Sequence, residues 1–406
     1  MNLCCKKEII VFCLAFVFFV QHAFAQDSCY NCSIDSLTQT YQQAKTDKEK
    51  IRLLALLIDL RLIHSNIHQV NENSLRDDST ANYIRSLAEL SKTEKVENID
   101  AYKNVLDAFV FFDNNDVLSG QNSLKKAIAL FDINHKKITY LLFFTRLSYN
   151  FQGNQEDRFK YYTEKLKYYL ANGPVENTAS CYHALGGYYL YKADYNNAIS
   201  NYLRAGSVFK NFDEASYRND LNVAAYTYGD WGNYQKAEEY FNLLIPLNKM
   251  AKDSFSLPLL YINISGNKRR QEKYEEALRF ADTSLLFNYK QFPDMKAMAY
   301  VEKAFSFINL NKLNEAWNEL AKASKISDSS HTKLFSAWGA FELDFGYYQY
   351  YSAIKKYDEA GKYLLNAYQK SIEVKSNKLQ LKYLKELFSF YGTQNQPALY
   401  IHEKIL

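Results

Sequence analysis

The sequence predicts an all-α fold, a superhelical solenoid of stacked helical hairpins, and three observations support this prediction. The chain has 406 residues but only 13 glycines and 5 prolines, too few for the many turns of a β-sandwich or barrel. Apolar residues recur at three- and four-residue spacing, as they do on one face of an α-helix. The chain also repeats itself with a period of about 40 residues, which is typical of helical-repeat architectures.

The composition argues against two broad classes of protein. The chain contains 35 tyrosines and 27 phenylalanines, whose large side chains supply enough buried area to fold, so disorder is not expected. The formal net charge is +4, and both signs are interspersed along the chain. A nucleic-acid module concentrates its lysines and arginines on one face, so we expect no bound nucleic acid.

The first 25 residues have the pattern of a secretory signal peptide. A basic start precedes a 12-residue apolar run from Ile9 to Val20, and the small residues Ala23 and Ala25 come just before Gln26. The alternative, an uncleaved membrane anchor, needs about 20 apolar residues, and this run is shorter. We predict cleavage before Gln26, which leaves an exported protein without a membrane span, in the periplasm or at the cell surface.

Three cysteines remain in the predicted mature chain. Cys29 and Cys32 could close a small disulfide ring in an oxidising compartment, but no strand-helix pattern of a thioredoxin-like site surrounds them. Cys181 lies on an apolar helix face, so we predict a small buried residue rather than a reactive thiol.

Residues 26–138 are predicted to form degenerate helical hairpins. They keep the helical spacing of apolar residues but lack the aligned small residues of the region that follows. His64, His68 and Glu72 stand four residues apart on one predicted helix face, which is a feasible geometry for metal ligands. A solvated polar face explains them equally well, and they lack the supporting groups of a tuned metal site, so we predict no bound metal.

Residues 139–406 carry the repeat, whose clearest mark is a column of small residues. Most units have an aromatic residue at the position three residues before the column. Each unit contains two amphipathic helices joined by a polar turn such as KAD or DWGN. One hairpin cannot bury both of its faces, so neighbouring hairpins must stack. The column, spaced by 39 to 44 residues, consists of Arg158, Ala198, Ala237, Ala277, Ala316 and Ala360.

Two adjacent glycines, Gly186 and Gly187, interrupt a predicted helix. Each interior glycine costs about 1 kcal/mol relative to alanine, so close packing must offset them. Gly186 stands twelve residues before Ala198, and we predict that it crosses the small surfaces of Ala198 and Ala205. Gly187 lies outside this contact and is expected to widen the groove.

Two hairpins depart from the small-residue pattern at the place that matches Gly186. Arg146 and Tyr348 stand there, and their large side chains would hold the paired helices apart. We therefore predict looser packing in these two outer hairpins.

The segments ALGGYYLYKADYNNAISNYLRA and AYTYGDWGNYQKAEEYF resemble the tetratricopeptide repeat family. The resemblance covers residues 139–406, although the period exceeds the usual 34 residues. It implies right-handed superhelical stacking, with first helices lining a concave groove that binds a peptide or protein partner. The chain is also similar to exported bacterial sensor proteins, in which such repeats precede a membrane helix and a cytoplasmic signalling domain.

The resemblance also gives candidate binding residues. Members of the family can clamp a terminal carboxylate with a Lys and Asn pair, but the matching places hold other residues here, so that clamp is absent. The groove positions that we predict to bind the partner are Asn222, Tyr226, Arg269 and Arg270. The basic run that begins at Lys268 could hold an anionic ligand, or it could be a solvated turn at a helix C-terminus.

No catalytic motif is present: the sequence has no Gly-rich phosphate loop and no nucleophile elbow. We therefore predict a non-catalytic, exported binding module without a cofactor. One alternative is the extracytoplasmic sensor part of a signalling or transcriptional regulator. Another is a glycan-binding protein that uses its tyrosines to stack on sugars.

The final segment, NQPALYIHEKIL, is predicted to be a helix of barely three turns. Repeat arrays need a polar terminal cap, and this short helix would leave apolar surface uncovered. We expect that end either to meet another subunit or to continue into further chain.

Overall fold

The computed structural model is an array of α-helices. Within the residues that it describes there are eighteen helices and no strand, so the predicted all-α fold is confirmed. None of the described helices is long and apolar enough to cross a membrane. The described residues are 26–63, 78–152, 155–253, 255–287, 289, 293–329, 333–373 and 376–393.

Three of the predictions concern segments outside the described residues. These are the signal peptide in residues 1–25, the histidine cluster at His64, His68 and Glu72, and the C-terminal segment 394–406. In the described part of the chain, no three His, Cys, Asp or Glu side chains converge as metal ligands would.

Short turns connect most of the helices. Their bounds are α1 Gln26–Gln43, α2 Asp47–Ile63, α3 Asp78–Leu90, α4 Ile99–Asp113, α5 Val117–Ile133, α6 Thr139–Gln152, α7 Gln155–Asn172, α8 Asn177–Tyr191, α9 Tyr195–Phe209, α10 Glu214–Trp231, α11 Tyr234–Met250, α12 Ser256–Arg270, α13 Tyr274–Leu285, α14 Pro293–Asn309, α15 Leu313–Ser329, α16 Lys333–Ala353, α17 Tyr357–Glu373 and α18 Asn377–Thr393.

Consecutive helices pack as hairpins, and the hairpins stack. The closest pairs include α4 with α5, α8 with α9 and α14 with α15. First helices also contact the next first helix, as α6 does with α8, α10 with α12, and α14 with α16. The first helices therefore lie side by side along one face of the solenoid.

The small-residue column lies at the centre of each hairpin. Ala198, Ala237, Ala277, Ala316 and Ala360 are all fully buried, which agrees with the predicted contact between paired helices. The residues four positions later along the second helices are buried as well. They are Tyr162, Tyr202, Phe241, Ala281, Leu320 and Leu364.

A recurrent turn joins the helices of the hairpins. The residue five positions before the small column has a positive φ, as at Ala193 with 60° and Gly232 with 93°. Asn115 has the same conformation, which places Gly120 in the column. A Cβ on Gly120 would overlap the ring of Phe112, so hairpin α4–α5 belongs to the same geometric series although its sequence shows no alanine. The domain boundary after residue 138 stays a prediction.

The ring of Tyr202 explains Gly186. A Cβ on Gly186 would lie 3.0 Å from two carbons of that ring. The prediction that Gly186 packs against Ala198 and Ala205 is therefore wrong about the neighbouring residue, which is Tyr202. Tyr202 stands four residues after Ala198, and its ring fills the space between α8 and α9. The close approach needs a glycine because the ring is buried and cannot move away.

Gly187 makes room for two other groups. A Cβ there would lie 3.5 Å from Tyr202 Oη and 3.6 Å from Arg158 Nη2. The glycine therefore lies beneath a guanidinium and a hydroxyl group, which replaces the expectation that it widens the groove.

The two exceptional hairpins behave differently. The helices α6 and α7, which carry Arg146, approach each other far less closely than those of the other hairpins, as predicted.

The prediction is wrong for Tyr348, because α16 and α17 pack as closely as their neighbours do. The Tyr348 ring packs against Phe390 of α18 at 5.7 Å, and its hydroxyl lies 3.3 Å from Glu386. Its side chain therefore points away from α17.

Cys181 is a buried free thiol on α8. Burial raises the pKa of this thiol above its ordinary value, and a thiol that keeps its proton is a poor nucleophile. This agrees with the predicted packing role. The structure describes the backbone of Cys29 and Cys32 in α1 but not their side chains, so their pairing stays a prediction.

Candidate functional site in the concave groove

The last described helix, α18, returns to the middle of the solenoid. Lys378, near its N-terminus, lies 3.3 Å from Tyr226 Oη and forms an ion pair with Asp230. Tyr226 and Asp230 are one turn apart on α10. Helix α18 also contacts α8, and α1 contacts α10, so the first and the last described helices both approach the middle of the array and the face of the first helices is concave.

Asp230 forms ion pairs with two cations, Arg270 and Lys378. Arg270 Nη2 donates to Asp230 Oδ1 at 2.8 Å, while Lys378 binds the other carboxylate oxygen. Burial opposes ionisation of Asp230, but Lys378 and Arg270 outweigh it and hold its pKa below the ordinary value. Burial likewise opposes the charge of Lys378, but Asp230 outweighs it and raises the lysine's pKa. The three groups are therefore charged at neutral pH.

The ring of Tyr226 lies under both cations. Lys378 Nζ is 4.9 Å and Arg270 Cζ is 5.7 Å from the ring centroid, within the range of cation–π attraction. The Lys378 side chain keeps 16% and that of Arg270 25% of its surface exposed. These side chains thus border the groove without being sealed from solvent.

Further ion pairs connect consecutive first helices along the groove. Arg269 of α12 binds Glu302 of α14 through two hydrogen bonds of 2.8 and 3.2 Å, and its guanidinium lies 4.6 Å from the ring centroid of Phe305. Lys382 of α18 binds Glu342 of α16 at 2.9 Å. The ion pairs tie each hairpin to its neighbour.

The basic run at the end of α12 is internally neutralised. Lys268 pairs with Glu238 at 2.9 Å and with Glu276 at 3.2 Å, and Arg269 and Arg270 have carboxylate partners of their own. Each of these cations has a carboxylate partner within the chain, and whether the run also holds an anionic ligand stays a prediction. The alternative of a solvated turn is wrong, since all three side chains are mostly buried.

Of the four predicted site residues, three reach the groove. Tyr226, Arg269 and Arg270 surround it, whereas Asn222 is buried between α10 and α12 and accepts a hydrogen bond of 3.1 Å from Asn263. Whether the three bind a partner stays a prediction.

Sequence reasoning missed Asp230, Glu302 and Lys378. Asp230 stood in a segment interpreted only as a polar turn. Lys378 follows Asp230 by 148 residues, and no spacing rule connects two residues so far apart.

The arrangement suits recognition better than proton transfer. The charges of Asp230 and other neighbours raise the pKa values of Arg270 and Lys378 above their ordinary values, and a general acid or base works best when its pKa lies near the operating pH. Fixed charges and ring faces can instead bind groups of a partner by ion pairs and stacking.

Comparison with known proteins shows similarity in structure only. No protein-family model and no curated protein matches the chain. The STAND signal-transduction ATPase with a tetratricopeptide repeat sensor from Pyrococcus horikoshii has a TM-score of 0.53 and 15% identity, over 88% of this chain and 55% of that one. Apo RapI has a TM-score of 0.52 and 15% identity, over 70% and 99%. A Rap protein complexed with Competence and Sporulation Factor has a TM-score of 0.51 and 10% identity, over 84% and 98%. The chain therefore has the fold of a tetratricopeptide-like helical-repeat solenoid.

Proposed function

We propose that this chain is an exported, non-catalytic helical-repeat module that binds a peptide or protein partner along its concave face. One observation carries the proposal: the first helices form a groove bordered by partly exposed charged and aromatic side chains, among them Tyr226, Arg270 and Lys378. Aromatic and arginine side chains that are partly desolvated are the usual anchors of protein recognition.

The structural similarities support this proposal at the level of the fold. One similar Rap protein was crystallised with Competence and Sporulation Factor, and the tetratricopeptide region of the STAND protein is described as a sensor. Export is supported by the N-terminal apolar run and the small residues before Gln26.

A sensor is the second candidate, and the link between Lys378 and Asp230 favours it. A partner that entered the groove there would compete with this ion pair and release α18 from the middle of the solenoid. Binding would then change the position of the C-terminal helix, which is the coupling that a sensor requires. Glycan binding is less favoured, because Lys378 and Arg270 already cover the Tyr226 ring.

The binding proposal can be tested with the predicted mature chain. A phage-displayed random peptide library is panned on the protein, and selected peptides are measured by fluorescence polarisation. Tyr226→Ala should weaken binding by about tenfold or more, since central aromatic anchors dominate interface energies. Tyr240→Ala, which removes a half-buried tyrosine from a second helix, is the control. Equal binding by wild type and Tyr226→Ala, or cross-linking of the peptides to second helices only, would contradict the proposal.

Export is tested separately by expressing the full chain in a bacterial host and measuring the intact mass of the extracytoplasmic product. The expected chain begins at Gln26. A product that retains residues 1–25 would overturn this part of the proposal.

A further inference from the structure

A small polar cleft lies among the first helices of the solenoid. It is lined by Ile63 at the end of α2, by Phe209 at the end of α9, and by side chains of α6, α8 and α10. Its free space has room for a group about the size of one water molecule. Because α6, α8 and α10 lie side by side, this space, called the polar cleft below, belongs to the same row of helices as the groove.

The hydroxyl groups of the polar cleft already donate to acceptors of the chain itself. Thr139 Oγ1 donates to the carbonyl oxygen of Ile63, and Ser180 Oγ donates to that of Thr139 at 2.6 Å. Ser216 Oγ donates to Asp213 Oδ2 at 2.8 Å. A hydroxyl group has one hydrogen and two lone pairs, so these three groups can offer a ligand only acceptor oxygens.

Asp220 adds an acceptor that has no donor. The residue is fully buried, and its Oδ1 lies 2.5 Å from Nδ1 of His183, whereas its Oδ2 is buried without a hydrogen-bond partner. Burial raises the pKa of Asp220, although His183 and Arg146 act in the opposite direction. A buried carboxylate oxygen without a donor is costly, so Asp220 calls for a donor that the chain does not supply.

The charges that line the polar cleft are negative. Asp213 lines it together with Asp220 and caps α10 by accepting the Ser216 backbone N–H at 3.1 Å, which offsets the positive end of that helix. Burial lowers the pKa of His183, so its imidazole is uncharged at neutral pH. Arg146 acts on Asp220 through its charge, but it is not among the described lining residues.

Aromatic rings form part of the wall. Tyr140 and Phe143 of α6 line the polar cleft, and Phe209 does so from α9. Ring faces attract cations, and a carboxylate nearby adds to that attraction. The lining therefore combines acceptor oxygens, two carboxyl groups and aromatic rings around a space of one small group.

We propose that the polar cleft binds a primary ammonium group of a peptide partner, with Asp220 as its counter-ion and hydroxyl oxygens such as that of Ser180 as further acceptors. The inference rests on the proposed function and specifies its partner, because it selects peptides with a lysine or a free amino terminus. An ammonium group presents three donors and no acceptor. It is also compact, whereas the planar guanidinium of an arginine needs more room.

The test uses the predicted mature chain and three peptides that carry fluorescein at the C-terminus, measured by fluorescence polarisation. The blocked peptide is acetylated hexalysine in which every lysine is trimethylated, so it keeps the charge but has no ammonium N–H. Acetylated hexalysine has primary ammonium groups on its side chains only, and the trimethylated peptide with a free amino terminus has one only there. Wild type should bind one of these two at least about tenfold more tightly than the blocked peptide, and the preferred peptide identifies the source of the ammonium group.

Two variants assign this preference to the polar cleft. Asp220→Asn keeps the shape of the side chain but removes its charge, so it should abolish the preference. Ser180→Ala removes one acceptor without changing the charge and should reduce the preference about three- to tenfold, as for loss of one hydrogen bond. Asp358→Asn is the matched control, because Asp358 is exposed on α17. It should leave every affinity within about twofold, since an exposed charge contributes little.

Circular dichroism shows whether each variant folds, and Ser180→Ala decides the question if Asp220→Asn does not. Equal binding of all three peptides by wild type would mean that the polar cleft holds water only, and would overturn the inference. A preference that persists unchanged in the folded variants would overturn it as well. The general proposal would still stand if library peptides without a primary ammonium group bound in a manner sensitive to Tyr226→Ala. It would fail independently if no peptide of any kind bound the groove.

Discussion

Single residues decide how closely the paired helices approach. Gly186 lies against the ring of Tyr202, while Gly187 lies under Arg158 and the Tyr202 hydroxyl at ordinary contact distance. Two neighbouring glycines in one helix therefore have different reasons to be there. Gly186 avoids a steric clash with the Tyr202 ring, whereas Gly187 leaves space beside the guanidinium of Arg158.

Substitution by alanine should separate these two roles. Gly187→Ala should stabilise the chain by up to about 1 kcal/mol, because alanine favours a helix interior and its methyl group fits. Gly186→Ala gains the same propensity but places a methyl group 3.0 Å from a buried ring, so it should be less stable than Gly187→Ala by about 1 to 3 kcal/mol.

Thermal unfolding of the two variants measures this difference. Adding Tyr202→Leu to Gly186→Ala should recover part of the loss, because the smaller side chain removes the clash. Equal midpoints for Gly186→Ala and Gly187→Ala would contradict the role assigned to the ring.

Residue-level prediction from sequence succeeded where a repeated pattern carried the information. The column that includes Ala198 and Ala237 is buried as expected, because its spacing follows the hairpin contact. The neighbour of Gly186 could not be predicted, since it depends on how the Tyr202 side chain turns. The charge of Arg269 was likewise assigned to a ligand, because nothing in the sequence marks Glu302 as its partner.

At the scale of elements, the hairpin turns share a residue with positive φ. In three of these turns the next side chain caps the following helix, whereas Lys273 makes no such cap. Asp194 accepts a hydrogen bond from the backbone N–H of Asn197 at 3.2 Å, and Asn233 accepts one from that of Lys236 at 3.1 Å. Such caps satisfy donors that the helix itself leaves unpaired, so these turns end one helix and stabilise the start of the next.

The positive φ of the turn gives a second prediction: substitutions at two equivalent turn positions should change the free energy of unfolding in opposite directions. Gly232→Ala should destabilise the chain by about 1 to 2 kcal/mol, the cost of a left-handed conformation for a residue with a Cβ. A methyl group on Gly232 would have no neighbour within 4 Å, so the effect arises from the backbone alone. Ala193→Gly relieves the same strain and should stabilise by less than about 1 kcal/mol, because glycine also gains entropy in the unfolded chain.

Urea denaturation of both variants, followed by circular dichroism, checks this prediction. Destabilisation by Ala193→Gly that matched the effect of Gly232→Ala would show that backbone strain does not govern these turns.

At the scale of the whole molecule, the contacts that shape the groove join distant parts of the chain. Hairpin formation follows from local periodicity, so the sequence predicts it well. The contact of Lys378 with Asp230 depends instead on the curvature accumulated over several hairpins, and no local pattern encodes it. The groove could therefore be predicted to exist, but its crossing by α18 could not.

The charge of Asp230 predicts how this closure responds to acid. The folded pKa of Asp230 is below its ordinary value, so its contribution to stability is present above the unfolded pKa of about 4 and is lost as pH falls through the folded pKa. Asp230→Asn should therefore destabilise the protein near neutral pH and reduce the loss of stability on acidification. Unfolding midpoints measured from neutral to acidic pH test this, and parallel curves for variant and wild type would contradict it.

Removing Lys378 should open the solenoid. Lys378→Met leaves Asp230 with Arg270 alone and should lower the free energy of unfolding by about 1 to 3 kcal/mol, as for a partly buried ion pair. It should also increase the radius of gyration measured by small-angle X-ray scattering, because α18 loses its link to α10.

Lys382→Met is the matched control on the same helix. It breaks the pair with Glu342 of the neighbouring hairpin, so it should lower the free energy of unfolding without expanding the molecule. A double-mutant cycle with Asp230→Asn isolates the coupling between Lys378 and Asp230. The first and the last described helices meet the middle of the array through a few contacts. An unchanged radius of gyration in Lys378→Met would therefore mean that hairpin packing alone sets the curvature, and the groove would then be a fixed surface rather than one that a partner can open.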